Sequence, residues 1–146
     1  MYKCKHFSIE ELVPKSLFDV MHEDALWKLF DTELLKAADW VKETYSPDDP
    51  VTVNTWKWGG PFSQSGIRTK DSEFYREGSA HSIGKALDMK FKNITAEAIR
   101  SDIKARMVKG EDIPYIREIE DGVNWLHIST RPKRGIMKGM VYFFNS

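Results

Sequence analysis

Apolar residues recur with helical spacing in two long segments of the chain. The first runs from Glu23 to Tyr45, and the second runs from Ile94 to Val108 with Thr95 as the expected N-cap. Each segment carries one apolar stripe, which predicts an amphipathic helix packed on a core. The stripes consist of Leu26, Phe30, Leu34, Ala37, Val41 and Tyr45 in the first segment, and of Ile99, Ile103 and Met107 in the second.

Shorter segments have the β-rich or alternating pattern that is typical of strands. They are Val51–Trp56, Ala86–Phe91, the two arms of a hairpin over Tyr115–Ser129, and Val141–Phe144. Residues 59–75 show no clear period, which predicts a long loop. Because the chain has no repeat or linker, we expect one α+β domain over residues 1–146, with a small antiparallel sheet and flanking helices.

Composition narrows the classes of function. The 146 residues include 22 Lys and Arg against 22 Asp and Glu, so the formal net charge is +0. This balance argues against a dedicated nucleic-acid binder, which normally carries a basic excess. No apolar run is long enough to span a bilayer, and no signal peptide is recognisable after Met1. We therefore expect no membrane span and synthesis in the cytoplasm.

The cysteine count restricts any metal site to histidine and carboxylate ligands, because Cys4 is the single cysteine. The four histidines are His6, His22, His81 and His127. His81 precedes Asp88 across Gly84, and Asp88 lies in a predicted strand. Gly84 permits the bend that would bring His81 back over Asp88. These two side chains are of the types that bind Zn²⁺.

A third ligand is expected from His127, which lies in the second arm of the predicted hairpin. Strand alternation places Asp88 on the face opposite to Leu87 and Met89, beside the small Ala86, which leaves room for an ion. Three protein ligands leave the fourth zinc position to water, as in catalytic sites. Zinc would lower the pKa of that water, but a carboxylate would still be needed to accept its proton.

The hairpin is expected to supply that carboxylate. If the turn comprises residues 121–122, Glu118 is diagonal to His127, and if it comprises residues 121–124, Glu118 is directly opposite. Both registers put Glu118 and Glu120 on the face of His127. Glu118 is the first choice because Glu120 lies nearer the turn, and a three-residue turn would invalidate the argument.

These residues resemble a known family. The pattern Ser-x-His-x-x-Gly-x-Ala-x-Asp at 79–88, followed by Trp-x-His at 125–127, is similar to zinc peptidases of the D-Ala-D-Ala carboxypeptidase and L-alanyl-D-glutamate endopeptidase type. The Ser-Gly-x-Arg segment at 65–68 and the opening His6–Leu12 also resemble members of this family. The family shares a fold with the Hedgehog signalling domain and includes many phage endolysins, so the resemblance implies that fold here.

The resemblance also implies roles for individual residues. His81, Asp88 and His127 would bind Zn²⁺. Arg68 would contact the carboxylate of the substrate or the tetrahedral oxyanion. Ser79 would contact the substrate or support a metal ligand.

One position departs from the family pattern. Many members place the catalytic acid three residues before the last histidine, where this chain has Asn124. Either Glu118 or Glu120 has taken that role, or catalysis is weak or absent. Several aromatic residues are expected to line a substrate groove, although two of the tryptophans are equally compatible with the core. They are Trp56, Trp58, Phe62, Phe74 and Tyr75.

The sequence therefore predicts a monomeric zinc metallopeptidase that cleaves an amide bond in the stem peptide of bacterial peptidoglycan. A phage lysis enzyme (endolysin) that acts on the cell wall after release is the expected context. The competing hypothesis is a catalytically weak or inactive zinc- or peptide-binding module of a phage virion. The sequence leaves the cleaved bond open among L-Ala–D-Glu, D-Ala–D-Ala and a cross-bridge.

Overall fold

The computed structural model describes residues 1–145, which form four α-helices and one five-stranded sheet. The helices are α1 (Lys15–Phe18), α2 (Glu23–Trp27), α3 (Thr32–Tyr45) and α4 (Ala96–Val108). The strands are β1 (Val51–Thr52), β2 (Ala86–Phe91), β3 (Glu118–Glu120), β4 (Leu126–Ser129) and β5 (Tyr142–Phe144), in the order β1-β2-β4-β3-β5. This mixed arrangement agrees with the predicted α+β class. No helix within residues 1–145 combines the length and apolar character that crossing a bilayer requires.

The sheet is mixed, whereas the sequence predicted an antiparallel one. β1, β2, β4 and β3 pair antiparallel, but β5 pairs parallel to β3. The reason is that Ser129, at the end of β4, pairs with Glu118 at the start of β3. β5 starts beside Glu118, the first residue of β3, and adds to the outer edge of β3, so the two strands run in the same direction.

One face of the sheet is apolar and packs against the helices. Leu87, Ile128 and Ile119 are paired neighbours across three strands, and all three are fully buried. α3 packs against β2 and α4 packs against β4. Because side chains alternate along a strand, the next residue of each strand projects from the opposite face.

The predicted helix over 23–45 is broken between α2 and α3. Asp31 is the N-cap of α3, where its carboxylate accepts a hydrogen bond from the N–H of Glu33 (3.3 Å). The N–H of Asp31 does not continue a helix but donates to the carbonyl of Gly84 (2.9 Å). The Asp31 carboxylate also accepts from Thr130 Oγ1 (2.7 Å) and the Lys85 ammonium (3.1 Å). These distant partners make the break favourable although the apolar stripe is continuous.

The predicted strand over 51–56 is also shorter, because β1 ends at Thr52. The side chain of Asn54 donates to the carbonyl of Val13 (3.2 Å) and accepts from the N–H of Ser65 (2.9 Å). Asn54 therefore turns the chain out of the sheet and fixes the start of the long loop. The irregular loop extends beyond the predicted residue 75 to Lys85, the residue before β2.

Candidate metal centre

Sheet pairing places two of the three predicted metal ligands side by side. Asp88 in β2 is the direct partner of His127 in β4, so both side chains project from the face opposite to the apolar core. Asp88 is 8% exposed. The regular strand pairing thus fixes a carboxylate beside an imidazole.

The third predicted ligand, His81, reaches the same point from the loop before β2. Gly84 has a φ of +70°, and a Cβ at this position would lie 2.1 Å from the carbonyl oxygen of Leu29. Only glycine satisfies both conditions, because an L residue is strained at this φ and the space is already filled. The Lys85 N–H donates to the carbonyl of Ala80 (2.8 Å), which closes the bend. The predicted role of Gly84 in turning His81 back is therefore confirmed.

The three side chains form a compact cluster. Nε2 of His81 lies 3.2 Å and Nδ1 of His127 lies 2.8 Å from the same oxygen of Asp88, Oδ1. The other nitrogen of His81 contacts the carbonyl of Gly66 (2.8 Å), which orients the ring and leaves Nε2 directed at Asp88. Ligand atoms from the three residues lie within 4.8 Å of one another. This cluster could hold a metal ion.

The donor set fits zinc in kind and in spacing. Two imidazole nitrogens and one carboxylate oxygen are ordinary Zn²⁺ ligands, and at bond lengths of about 2.0–2.2 Å tetrahedral ligand atoms lie about 3.3–3.6 Å apart. The distances from Asp88 Oδ1 to the two rings, 3.2 Å and 2.8 Å, are close to that spacing.

The charge of Asp88 is maintained by its neighbours. Burial alone would raise the pKa of Asp88, but hydrogen bonds with His127 and His81, and the charge of these rings, outweigh burial and hold the pKa well below its usual range. Arg68, a predicted catalytic and substrate-binding residue, contacts the other oxygen of Asp88 (3.3 Å). Nε of Arg68 donates to the carbonyl of Gln64 (2.8 Å), so the guanidinium is held beside the cluster.

The structure separates the two candidate glutamates. β3 pairs Glu118 with Ser129 and Ile119 with Ile128, and one further residue along this register puts Glu120 opposite His127. Both glutamates share the face of His127, as predicted, but the register differs from both predicted turns. Glu120 lines a cavity of about 310 Å³ together with the three ligands. Of the two glutamates, Glu120 is therefore the one that lies beside the candidate ligands.

Glu118 has partners of its own, farther along the sheet. Its carboxylate accepts from Ser129 Oγ (3.1 Å) and forms an ion pair with Arg131 (3.4 Å). It is 5% exposed and does not line the cavity around the ligands. These contacts hold the Glu118 side chain against the end of β4, away from the candidate ligands.

A buried arginine that the sequence reasoning did not single out sets the register. Arg100 in α4 is 3% exposed and donates to the carbonyls of Val123 (2.9 Å), Trp125 (3.1 Å) and Glu120 (3.4 Å). The loop between β3 and β4 therefore wraps around this guanidinium and does not close as a tight Asp121-Gly122 turn. The signal in the sequence is an arginine within the apolar stripe, directly after Ile99.

The other predicted positions are more peripheral. Ser79 lines the cavity, and its hydroxyl lies 2.8 Å from that of Ser82 rather than against a ligand residue. Asn124, in the position of the family's acid, is exposed and does not line this cavity. A catalytic carboxylate at this site would therefore come from Glu120.

Comparisons with models of known protein families, with curated proteins and with solved structures found no match. The resemblance to zinc peptidases therefore rests on the sequence motif alone and stays a prediction.

A groove of about 840 Å³ continues from the metal centre and shares Arg68, Asp88 and Trp125 with the smaller cavity. Phe62 and Phe74 line this groove, as predicted, and are 41% and 53% exposed. The other aromatic residues predicted for the groove do not line it: Trp56, Trp58 and Tyr75.

Lys90, which the sequence reasoning did not select, also lines the groove. It lies two residues beyond Asp88 on the same face of β2. Burial lowers the pKa of Lys90 to about 8, and the nearby charge of Asp88 opposes this shift. The groove therefore contains two partly buried cations, Arg68 and Lys90.

Proposed function

We propose that this protein is a zinc-dependent peptidase that hydrolyses an amide bond in the stem peptide of bacterial peptidoglycan, acting on the wall as a phage lysis enzyme. The observation that carries the proposal is the convergence of His81, Asp88 and His127 at one point beside a cavity that also holds Glu120 and Arg68. In the Hedgehog-type peptidases that the motif resembles, the same residue types surround catalytic zinc.

The ion would be held by His81, Asp88 and His127, and when bound it supplies a Lewis acid that polarises an amide carbonyl and promotes the ionisation of water. Glu120, beside His127 in the sheet, is the group that accepts a proton from water and delivers it to the leaving amine. Arg68 donates to a carboxylate of the substrate or to the developing oxyanion. Ser79, on the wall of the cavity, contacts the peptide.

Catalysis would not need an acid at position 124, where the chain has Asn124, because Glu120 supplies a carboxylate from the neighbouring strand. Asn124 remains the observation that favours the competing function, a catalytically inactive zinc- or peptide-binding module of a virion. Both functions require zinc, so metal content alone does not distinguish them, whereas turnover does.

The test combines metal content with the release of amino groups. Purified protein should bind one zinc ion, measured by elemental mass spectrometry, and should release new amino termini from peptidoglycan. Chelation with EDTA should abolish this release and added zinc should restore it. Asp88→Asn should lose both zinc and activity, while Asp48→Asn, an exposed control with the same change of charge, should keep both.

Mass spectrometry of the released muropeptides would identify the cleaved bond. Release that persists without metal would contradict the zinc mechanism. If zinc binds but walls of differing peptide composition all remain uncut, the peptidase proposal fails and the binding module is favoured.

A further inference from the structure

Lys90 has a position that the metal centre does not explain. It projects into the groove next to the cluster but contacts none of the three candidate ligands through a hydrogen bond. Its ammonium donates to the carbonyl of Val53 (3.0 Å) and to the hydroxyl of Ser65, and lies 4.0 Å from the centre of the Phe62 ring. These contacts fix the cation at the floor of the groove.

The contacts leave Lys90 with unused binding capacity. An ammonium group has three N–H donors, and protein acceptors occupy two of them. No Asp or Glu within residues 1–145 forms an ion pair with Lys90. A partly buried cation that no protein carboxylate contacts directly favours the binding of an anion, because its charge is less screened than that of an exposed lysine.

The distribution of charge in the groove also favours an anionic ligand. The carboxylates of Asp71 and Glu73 line the groove from the loop, but both residues are exposed, so water and salt screen them. Arg68 and Lys90 are only partly exposed and lie along the floor. Arg68 contacts Asp88 and has its proposed role at the metal centre itself, so Lys90 is the cation available to a carboxylate farther along the groove.

We propose that Lys90 binds a carboxylate of the substrate one or two residues away from the amide bond that lies at the metal centre. The spacing follows from the strand, since two residues of β2 span about 6.6–6.8 Å. An extended peptide advances about 3.3–3.6 Å per residue, so a chain lying along the groove brings a neighbouring carboxylate to Lys90. The aromatic rings of Phe62 and Phe74 at the groove wall suit small apolar side chains beside this carboxylate. The inference rests on the proposed peptidase function and defines its substrate as an acidic peptide.

The test uses synthetic stem pentapeptides in three forms: all carboxylates free, the free carboxylate of D-Glu amidated, or the C-terminal carboxylate amidated. The zinc-loaded wild-type protein should cleave the free form at least about 10-fold faster, in kcat/KM, than one of the amidated forms, because a charge-assisted hydrogen bond is lost. Lys90→Gln should abolish this preference by slowing cleavage of the free form alone. Lys92→Gln, the matched control on an exposed lysine outside the groove, should keep the preference.

Lys90→Arg, which keeps the charge, should retain a preference for the free carboxylate and guards against a purely structural effect of Lys90→Gln. Equal preference in the wild type and Lys90→Gln would overturn the inference while leaving the peptidase function intact. If the wild type cleaves none of the peptides, the peptidase function fails first. In that case, NMR titration of the zinc-loaded protein with the same peptides measures binding directly. An affinity of Lys90→Gln for the free-carboxylate peptide equal to that of the wild type would overturn the role of Lys90 in binding.

Discussion

Gly84 offers a quantitative test of how the loop delivers His81, and Gly84→Ala is the perturbation. Its φ of +70° costs an alanine about 1–2 kcal/mol. The new Cβ would also lie 2.1 Å from the carbonyl oxygen of Leu29, so the backbone must move by about 1 Å, at a cost of about 1–3 kcal/mol. The same movement weakens the hydrogen bond from the Asp31 N–H to Gly84, worth about 0.5–1.5 kcal/mol.

Gly78→Ala is the matched control, because Gly78 has a φ of +75° but no atom within 4 Å of the point where the new methyl group would lie. It should cost only the backbone strain of about 1–2 kcal/mol. Thermal unfolding followed by circular dichroism should therefore show Gly84→Ala melting roughly 5 °C or more below Gly78→Ala, at about 2–4 °C per kcal/mol. Gly84→Ala should also bind zinc more weakly, since His81 is displaced. Equal melting temperatures for the two variants would refute the close packing of Gly84 on Leu29.

Three other predictions address the site and the fold. Glu120→Gln should retain zinc but lose about 10²-fold or more of the peptidase activity, whereas the activity of Glu118→Gln should stay within a few-fold of wild type. The reverse order of activities would indicate that Glu118 is the general base. Arg100→Met should lower the free energy of unfolding, measured by urea titration, by about 2–4 kcal/mol, because three loop carbonyls lose their buried donor. An unchanged midpoint would contradict that role. Partial burial, followed by the charges of nearby acids, raises the pKa of Cys4, so Ellman's reagent at pH 8 should label the folded protein at least about 10-fold more slowly than the protein in urea. Equal rates would contradict the raised pKa.

The elements with strong local patterns could be predicted from the sequence. β2 has the predicted bounds, and α4 begins after the predicted N-cap, Thr95, whose hydroxyl accepts from the N–H of Ala98 (3.0 Å). The position of His81 over Asp88 was also predictable from strand alternation and one glycine bend, whereas the position of His127 depends on the pairing of β4 with β2.

The features that the sequence did not predict depend on partners far along the chain. The break before α3 depends on Asp31 meeting Thr130, which is 99 positions away. The hairpin register depends on Arg100, whose carbonyl partners lie 20 to 25 positions later. Local patterns predicted the parity of β3 and β4, and hence the shared face of Glu118 and Glu120. They did not predict the register, which differs by two or four residues from the two predicted turns and places Glu120 opposite His127.

The contacts of Asp31 have a dynamic consequence. Its backbone N–H holds the loop at Gly84, while its carboxylate holds Lys85 before β2 and Thr130 after β4. We therefore expect the first turn of α3 and the segments that carry the candidate ligands to open together. Release of a bound ion by movement of the loop must disrupt the cap of α3, so zinc should slow hydrogen exchange at amides of that turn, although the helix contributes no ligand. Hydrogen exchange at the start of α3 would then report ion binding at the candidate metal centre from a distance.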